Sequence, residues 1–315
     1  MITSMSKLTR RRRQALQISI VALSVAILAP QLGSLSESLS STGKLRLEWL
    51  FWAGLAISLS YVFAGLVYVL LVPRRLPFAR TLAVQLATGF TNRVVPSGIG
   101  ALGLNTLYLA RQLRISKTAA ISYATANNFV GFMAFVLTVG VIGIFSGLDV
   151  GRVAGAQTSA AQTLLIITAM VAGLGAVVLV AHAGGCVIKL WRTAGRVAGS
   201  ILGRPLRLLG ALAMSIGITL CNIFGLYACV VATGNSLPMA ELLLVFSAGL
   251  LAIAVSPTPN GLGAAELTMS LALGLTGQPA AEALSIVLAY RLVTFWLPIL
   301  PGYLMFRYVT GKRFV

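Results

Sequence analysis

Apolar runs long enough to cross a bilayer recur along this chain, separated by short basic clusters. A membrane-spanning helix needs about 20 predominantly apolar residues. The sequence meets that length at roughly 15–32, 49–72, 119–146, 161–183, 208–233 and 281–306. The composition agrees: 58% of the 315 residues are hydrophobic and 10% charged, against about 45–50% and about 25% in soluble domains. The expectation is one polytopic membrane domain over 1–315, all-α, with its chemistry within or at the bilayer. The segment RRRR at 10–13 followed by an apolar run could open a signal peptide. Ala29-Pro30 is a poor cleavage site, so an uncleaved first span is expected.

Two further apolar regions, 81–110 and 240–276, are broken near their middles at Pro96-Ser97-Gly98 and at Pro257-Thr258-Pro259-Asn260-Gly261. Each arm has about 14–17 residues, hence ~21–25 Å of helix, short of the ~30 Å hydrocarbon core. They read as re-entrant hairpins that enter and leave on one side. Irregular backbone at that depth needs cover from protein or a watery cavity. The predicted fold is about six full spans plus two hairpins.

The net charge of +18 does not point to nucleic acid, because the basic residues lie in clusters between apolar runs. Placing Lys7–Arg13, Arg74–Arg80, Arg111–Lys117, Lys189–Arg207 and Arg307–Arg313 inside puts 19 of the 24 basic residues on the cytoplasmic face. That assigns both termini to the cytoplasm of an integral, multi-pass plasma-membrane protein. The first hairpin then opens inward and the second outward. The basic face favours anionic lipid headgroups.

Shifted by 163 residues, the chain matches itself without a gap: PSGIGALGL at 96–104 falls on PNGLGAAEL at 259–267. The matching stretches, approximately 49–146 and 208–308, have opposite orientation under the charge assignment. This is an inverted-topology repeat, whose broken helices commonly build a midplane site in secondary transporters. Pro96 ends an arm, and Gly98 and Gly100 permit a tight reversal. N–H groups opening the next half-helix, with Arg93 just before them, suit an anion.

Arg93, Glu266 and Arg291 are the ionisable residues expected inside the membrane. Each costs at least about 2.5–3.5 kcal/mol at midplane, so each should be paired or functional. A Glu266–Arg291 pair fits the geometry and leaves one positive charge over, which a lipid phosphate could balance. Asn92, Asn260, Gly261, Gly263 and Tyr290 complete the candidate binding set. The plainer alternatives are a structural Glu266–Arg291 clip, asparagines that cap broken helices or bond neighbours, Tyr290 as packing, and Arg93 reaching the outer surface. His182 is the single histidine, and Cys186, Cys221 and Cys229 lack metal-ligand spacing. No metal site, cofactor or catalytic residue is assigned, and no nucleotide-binding loop is present.

The motifs N-R-V-V-P-S-G-I-G at 92–100 and P-N-G-L-G-A-A-E at 259–266, with A-Y-R-L at 289–292, resemble the transmembrane region of lysylphosphatidylglycerol synthases over roughly residues 15–310. In the bifunctional relatives that region is linked to translocating aminoacylated phosphatidylglycerol, and a separate soluble domain makes the lipid. The 315 residues contain no such domain, so the resemblance implies no synthase. It implies a non-enzymatic membrane protein that moves or binds a lipid, with Asn92, Arg93, Pro96, Gly98, Gly100, Gly261, Gly263, Glu266 and Arg291 on motif positions. Relatives often carry an acidic residue and an arginine around Gly103 and Asn105, and this chain has neither. Expected partners are membrane lipids with anionic or zwitterionic headgroups, with a second copy or a membrane enzyme left open. The rival expectation is a non-transporting scaffold for a membrane-associated enzyme.

Overall fold

The computed structural model describes residues 46–95, 99–146, 187–312 and 314–315. The expected spans at 15–32 and 161–183, and the hairpin-tip residues Pro96 and Gly98, lie outside the described residues. The described chain is helical, without strands. Its helices are α1 (Leu47–Leu71), α2 (Phe78–Val94), α3 (Ile99–Leu113), α4 (Lys117–Phe145), α5 (Val187–Leu202), α6 (Pro205–Ala232), α7 (Met239–Val255), α8 (Ala264–Leu275), α9 (Ala280–Arg291) and α10 (Ile299–Gly311). A 3-10 turn, Pro259–Gly261, joins α7 to α8, and a π segment, Leu292–Trp296, joins α9 to α10.

Helices α1, α4 and α6, and the α9–α10 unit over Ala280–Gly311, are each long and apolar enough to cross a bilayer. They match four expected spans. The outward faces carry large apolar side chains, among them Phe51, Ile144, Phe145 and Leu300. Such a surface suits lipid and would be a liability in water. The chain is a multi-pass membrane protein.

Proline chemistry sets the breaks. A residue before proline is pushed out of the helical region. Helix α2 stops at Val94, and Val95 is extended (φ −100°, ψ 124°) ahead of Pro96. Helix α7 stops at Val255, with Ser256 extended ahead of Pro257 and Thr258 extended ahead of Pro259. The arms α2, α3, α7 and α8 have 17, 15, 17 and 12 residues. At 1.5 Å per residue they are ~18–26 Å long, as a broken pair requires.

Polar side chains tie the first hairpin. Gln85 Nε2 donates to Asn105 Oδ1 at 2.9 Å, and Thr81 and Tyr108 share a hydroxyl bond of 2.8 Å. Where hydrocarbon surrounds the helices, apolar burial gives little drive for association, so packing and such bonds carry it. The second hairpin instead packs a methionine on a glycine: a Cβ at Gly249 would lie 2.6 Å from Met269 Sδ. Helix α1 packs most extensively on α6. Along that seam Leu70, Phe63 and Ile57 come opposite Gly210, Gly217 and Gly225 in antiparallel order. Helix α10 closes on α2 the same way, with Gly302 against Leu86 and Phe90 and the Phe90 ring 5.5 Å from Tyr303.

Candidate functional site

The second hairpin builds its tip from left-handed backbone. Asn260 (φ 48°, ψ 35°), Gly261 (φ +69°) and Gly263 (φ +84°) turn the chain from α7 into α8. Asparagine and glycine are the residue types that adopt this region at least cost. Gly261 has a second requirement, since a Cβ there would come 2.8 Å from Ile253 Cα. Gly263 is the N-cap of α8. Its N–H donates to Glu266 Oε2 at 2.7 Å, so the carboxylate reaches back over the helix start it belongs to.

The other Glu266 oxygen receives Arg291. Nε of Arg291 lies 2.7 Å from Glu266 Oε1, and Nη2 donates to the Asn260 carbonyl at 3.2 Å. Glu266 is 9% exposed and Arg291 2%. The expected ion pair forms, and both partners also hold backbone of the same tip. Breaking it would leave a buried charge without a partner.

The first hairpin brings Arg93 to the same region. Arg93 is half-buried on the last turn of α2. It donates through Nη1 to the Gly89 carbonyl, and through Nη2 to Tyr61 Oη at 3.1 Å and to the Thr294 carbonyl of the π segment. All three acceptors are neutral. Among the described residues Arg93 meets no carboxylate. Its Nε is buried without a hydrogen-bond partner there, as are Asn92 Oδ1 and Thr88 Oγ1 one turn earlier and Thr106 Oγ1 on α3. Phe295 lies close to both arginines. The Arg291 guanidinium carbon is 4.7 Å from its ring centre and that of Arg93 5.9 Å. A cation within about 6 Å of a ring face is attracted to it.

The structure therefore gathers Arg93, Asn260, Gly261, Gly263, Glu266 and Arg291 about the π segment and the second tip. Gly100 does separate work, because a Cβ there would meet the Thr91 carbonyl at 2.6 Å, so it lets α3 start against α2. Tyr290 does not join the charged group. It is buried in the apolar cluster of α6, α7 and α9, beside Gly225. That is the packing alternative for this residue, and its cause is the helical phase that separates neighbours 290 and 291 by about 100°. Sequence reasoning missed Tyr61, Thr294 and Phe295. For Thr294 a signal existed in Pro298, four residues on; for Tyr61, 32 residues from Arg93, there was none.

Two broken-helix pairs and long apolar spans, with an ion pair at the second break, define a polytopic helical membrane protein. The family model of the lysylphosphatidylglycerol synthase transmembrane region matches residues 14–302, and the chain belongs to that family, whose members are linked to lipid synthesis or translocation. No curated protein matches the chain.

Proposed function

We propose that this protein is a lipid translocase of the flippase type, which seats an amphiphile's headgroup between the two hairpins while its tails stay in the bilayer. One observation carries the reading. Arg93 is a membrane-embedded cation that meets only neutral acceptors among the described residues, beside buried polar atoms without partners. A half-buried charge within a membrane calls for a counter-ion. A lipid phosphate would supply it, with charge-assisted bonds from the guanidinium. The protein acts without chemistry on the lipid.

The self-match adds support. It pairs Glu266 with Gly103, where a Cβ would meet nothing within 4 Å. The second half thus brings its own anion to its broken helix, and the first half leaves that position to a ligand. Adding 163 to the bounds of α2 gives 241–257, against Met239–Val255 for α7. The same shift carries α4 to 280–308, against Ala280–Gly311. In this reading the repeat is inverted, both termini are cytoplasmic in the plasma membrane, and the halves exchange openings to give alternating access.

A second reading has its own observation. Glu266 and Arg291 satisfy each other and the tip backbone, as a structural clip in a non-transporting scaffold for a membrane enzyme would. The experiment is headgroup-labelled lipid movement in proteoliposomes, with wild type beside Arg93→Ala and with anionic, aminoacylated and glycosylated headgroups. Protein-dependent movement that falls at least about tenfold in a well-folded Arg93→Ala protein supports translocation. No movement with any headgroup rejects it in favour of the scaffold.

A further inference from the structure

Arg93 finds an acceptor on the last span four residues before a proline. In an α-helix the carbonyl of residue 294 takes the N–H of residue 298. Residue 298 is proline and has no N–H. The helix deforms here into the π segment, in which Leu297 N–H reaches back five residues to the Leu292 carbonyl at 2.9 Å. Arg93 Nη2 donates to the Thr294 carbonyl, whose α-helical partner would have been the N–H that Pro298 lacks. Single-turn π bulges of this kind are frequent at functional sites.

The residue just before this segment holds the second hairpin. Arg291 is bonded to Glu266 and to the Asn260 carbonyl. Thr294 Oγ1 is occupied with the Tyr290 carbonyl at 2.7 Å, so it is the backbone of Thr294 that serves Arg93. Phe295 has two guanidinium groups near its ring, that of Arg93 from the first hairpin and that of Arg291, which holds the second. The first hairpin is therefore bonded to this irregular turn and the second to the residue beside it. The two ties differ in kind: the second is an ion pair, while the first is a cation on a neutral carbonyl.

We propose that Pro298 is a positioning residue. By withholding an N–H it dedicates the Thr294 carbonyl to Arg93, and the resulting bond is a latch that holds the end of α2 against the last span. An anion at Arg93 is a stronger acceptor than a neutral carbonyl. A phosphodiester headgroup takes Nη2 from Thr294 and frees α2 from the π segment, while Glu266 keeps the second hairpin tied. Ligand occupancy is thereby converted into movement of one hairpin only. The release step rests on Arg93 as the headgroup contact; the latch stands on the geometry alone.

The test is hydrogen–deuterium exchange over residues 82–95 in the purified full chain. Wild type is compared with Pro298→Ala, Arg93→Gln, the double variant, and Pro301→Ala as a control proline one turn on. Each of the first two single variants should speed exchange at least about tenfold, the scale of a lost charge-assisted bond. The double should be no faster than the faster single, and Pro301→Ala should match wild type. If Pro298→Ala leaves exchange unchanged, or its effect adds to that of Arg93→Gln, the proline acts elsewhere and the positioning role is rejected. Short-chain phosphatidylglycerol should speed exchange in wild type and not in Arg93→Gln, and diacylglycerol of equal chain length should do neither. No response to phosphatidylglycerol overturns release while the lipid-free arms still decide the latch. Lipid movement in proteoliposomes separates the two readings. Transport without Arg93–Pro298 coupling sinks the latch alone, and a working latch without transport sinks the translocase alone.

Discussion

Single residues at the second tip divide into those the backbone demands and those the charge demands. Gly261 belongs to the first kind, with φ at +69° and no room for a Cβ beside Ile253 Cα. Gly261→Ala should therefore cost at least about 1–3 kcal/mol, read as a lower unfolding midpoint in detergent. Gly103→Ala is the control: its Cβ meets nothing within 4 Å. Within helix α3 it should be neutral or stabilising by about 0.5–1 kcal/mol. Glu266 belongs to the second kind. Glu266→Gln leaves Arg291 buried without its ion pair and should destabilise by roughly 3–5 kcal/mol. Pairing it with Arg291→Met, which removes the stranded charge, should recover most of that loss. If the double variant is no more stable than the single, the carboxylate's main work is on the Gly263 N–H rather than on the arginine. These measurements use unfolding alone, so they hold whether or not the protein moves lipid.

The helices carry the part of the fold that was legible beforehand. Spans expected at 49–72, 119–146 and 208–233 appear as Leu47–Leu71, Lys117–Phe145 and Pro205–Ala232, because length and hydropathy decide what can cross a bilayer. The breaks were legible for an equally local reason, the effect of a proline on the residue before it. Partners were not legible. Nothing local tells Arg93 that Tyr61 lies 3.1 Å away, or that Gln85 will meet Asn105 across the hairpin. The last span was read as one helix over 281–306, but it contains a π segment. Pro298 and Pro301 hinted at irregularity without saying which carbonyl would be used. The Gln85–Asn105 bond gives a prediction at this scale. Either residue changed alone to leucine leaves a buried amide unsatisfied and should cost about 1–3 kcal/mol, whereas changing both should cost less than the sum. A double-mutant cycle on unfolding stability should show a coupling of at least about 0.5 kcal/mol. Simple additivity would mean that the bond contributes nothing to holding α2 on α3.

At the scale of the whole molecule the hairpins and the α1–α6 seam set different constraints. Glycines at 210, 217 and 225 let α6 lie close along α1, and a Cβ at Gly217 would already press the Phe63 ring at 3.0 Å. That close, unbranched contact joins the first and second stretches rigidly. The first hairpin packs on α10 at Leu86 and Phe90 and on α1 at Phe78 and Leu82, and the second is bonded to the last span through its tip. In the translocase reading, large movement should occur at the hairpins, with α1 and α6 as the fixed axis. The proposed inverted arrangement is testable without knowing the lipid. If each pair of short helices enters and leaves on one side, single cysteines at Arg75 and Ile115, which flank the first hairpin, should react with a membrane-impermeant maleimide from the same face. Cysteines at Asn235 and Gln278, which flank the second, should react from the opposite face. In inside-out and right-side-out vesicles the two pairs should exchange reactivity together. Labelling of Arg75→Cys and Ile115→Cys from opposite faces would make α2 and α3 a pair of short full spans. The two halves would then no longer be inverted copies, and a fixed seam with two alternately opening hairpins would lose its basis. Labelling of all four from one face would leave the hairpins re-entrant but parallel, which removes alternating access while keeping Arg93 beside the π segment.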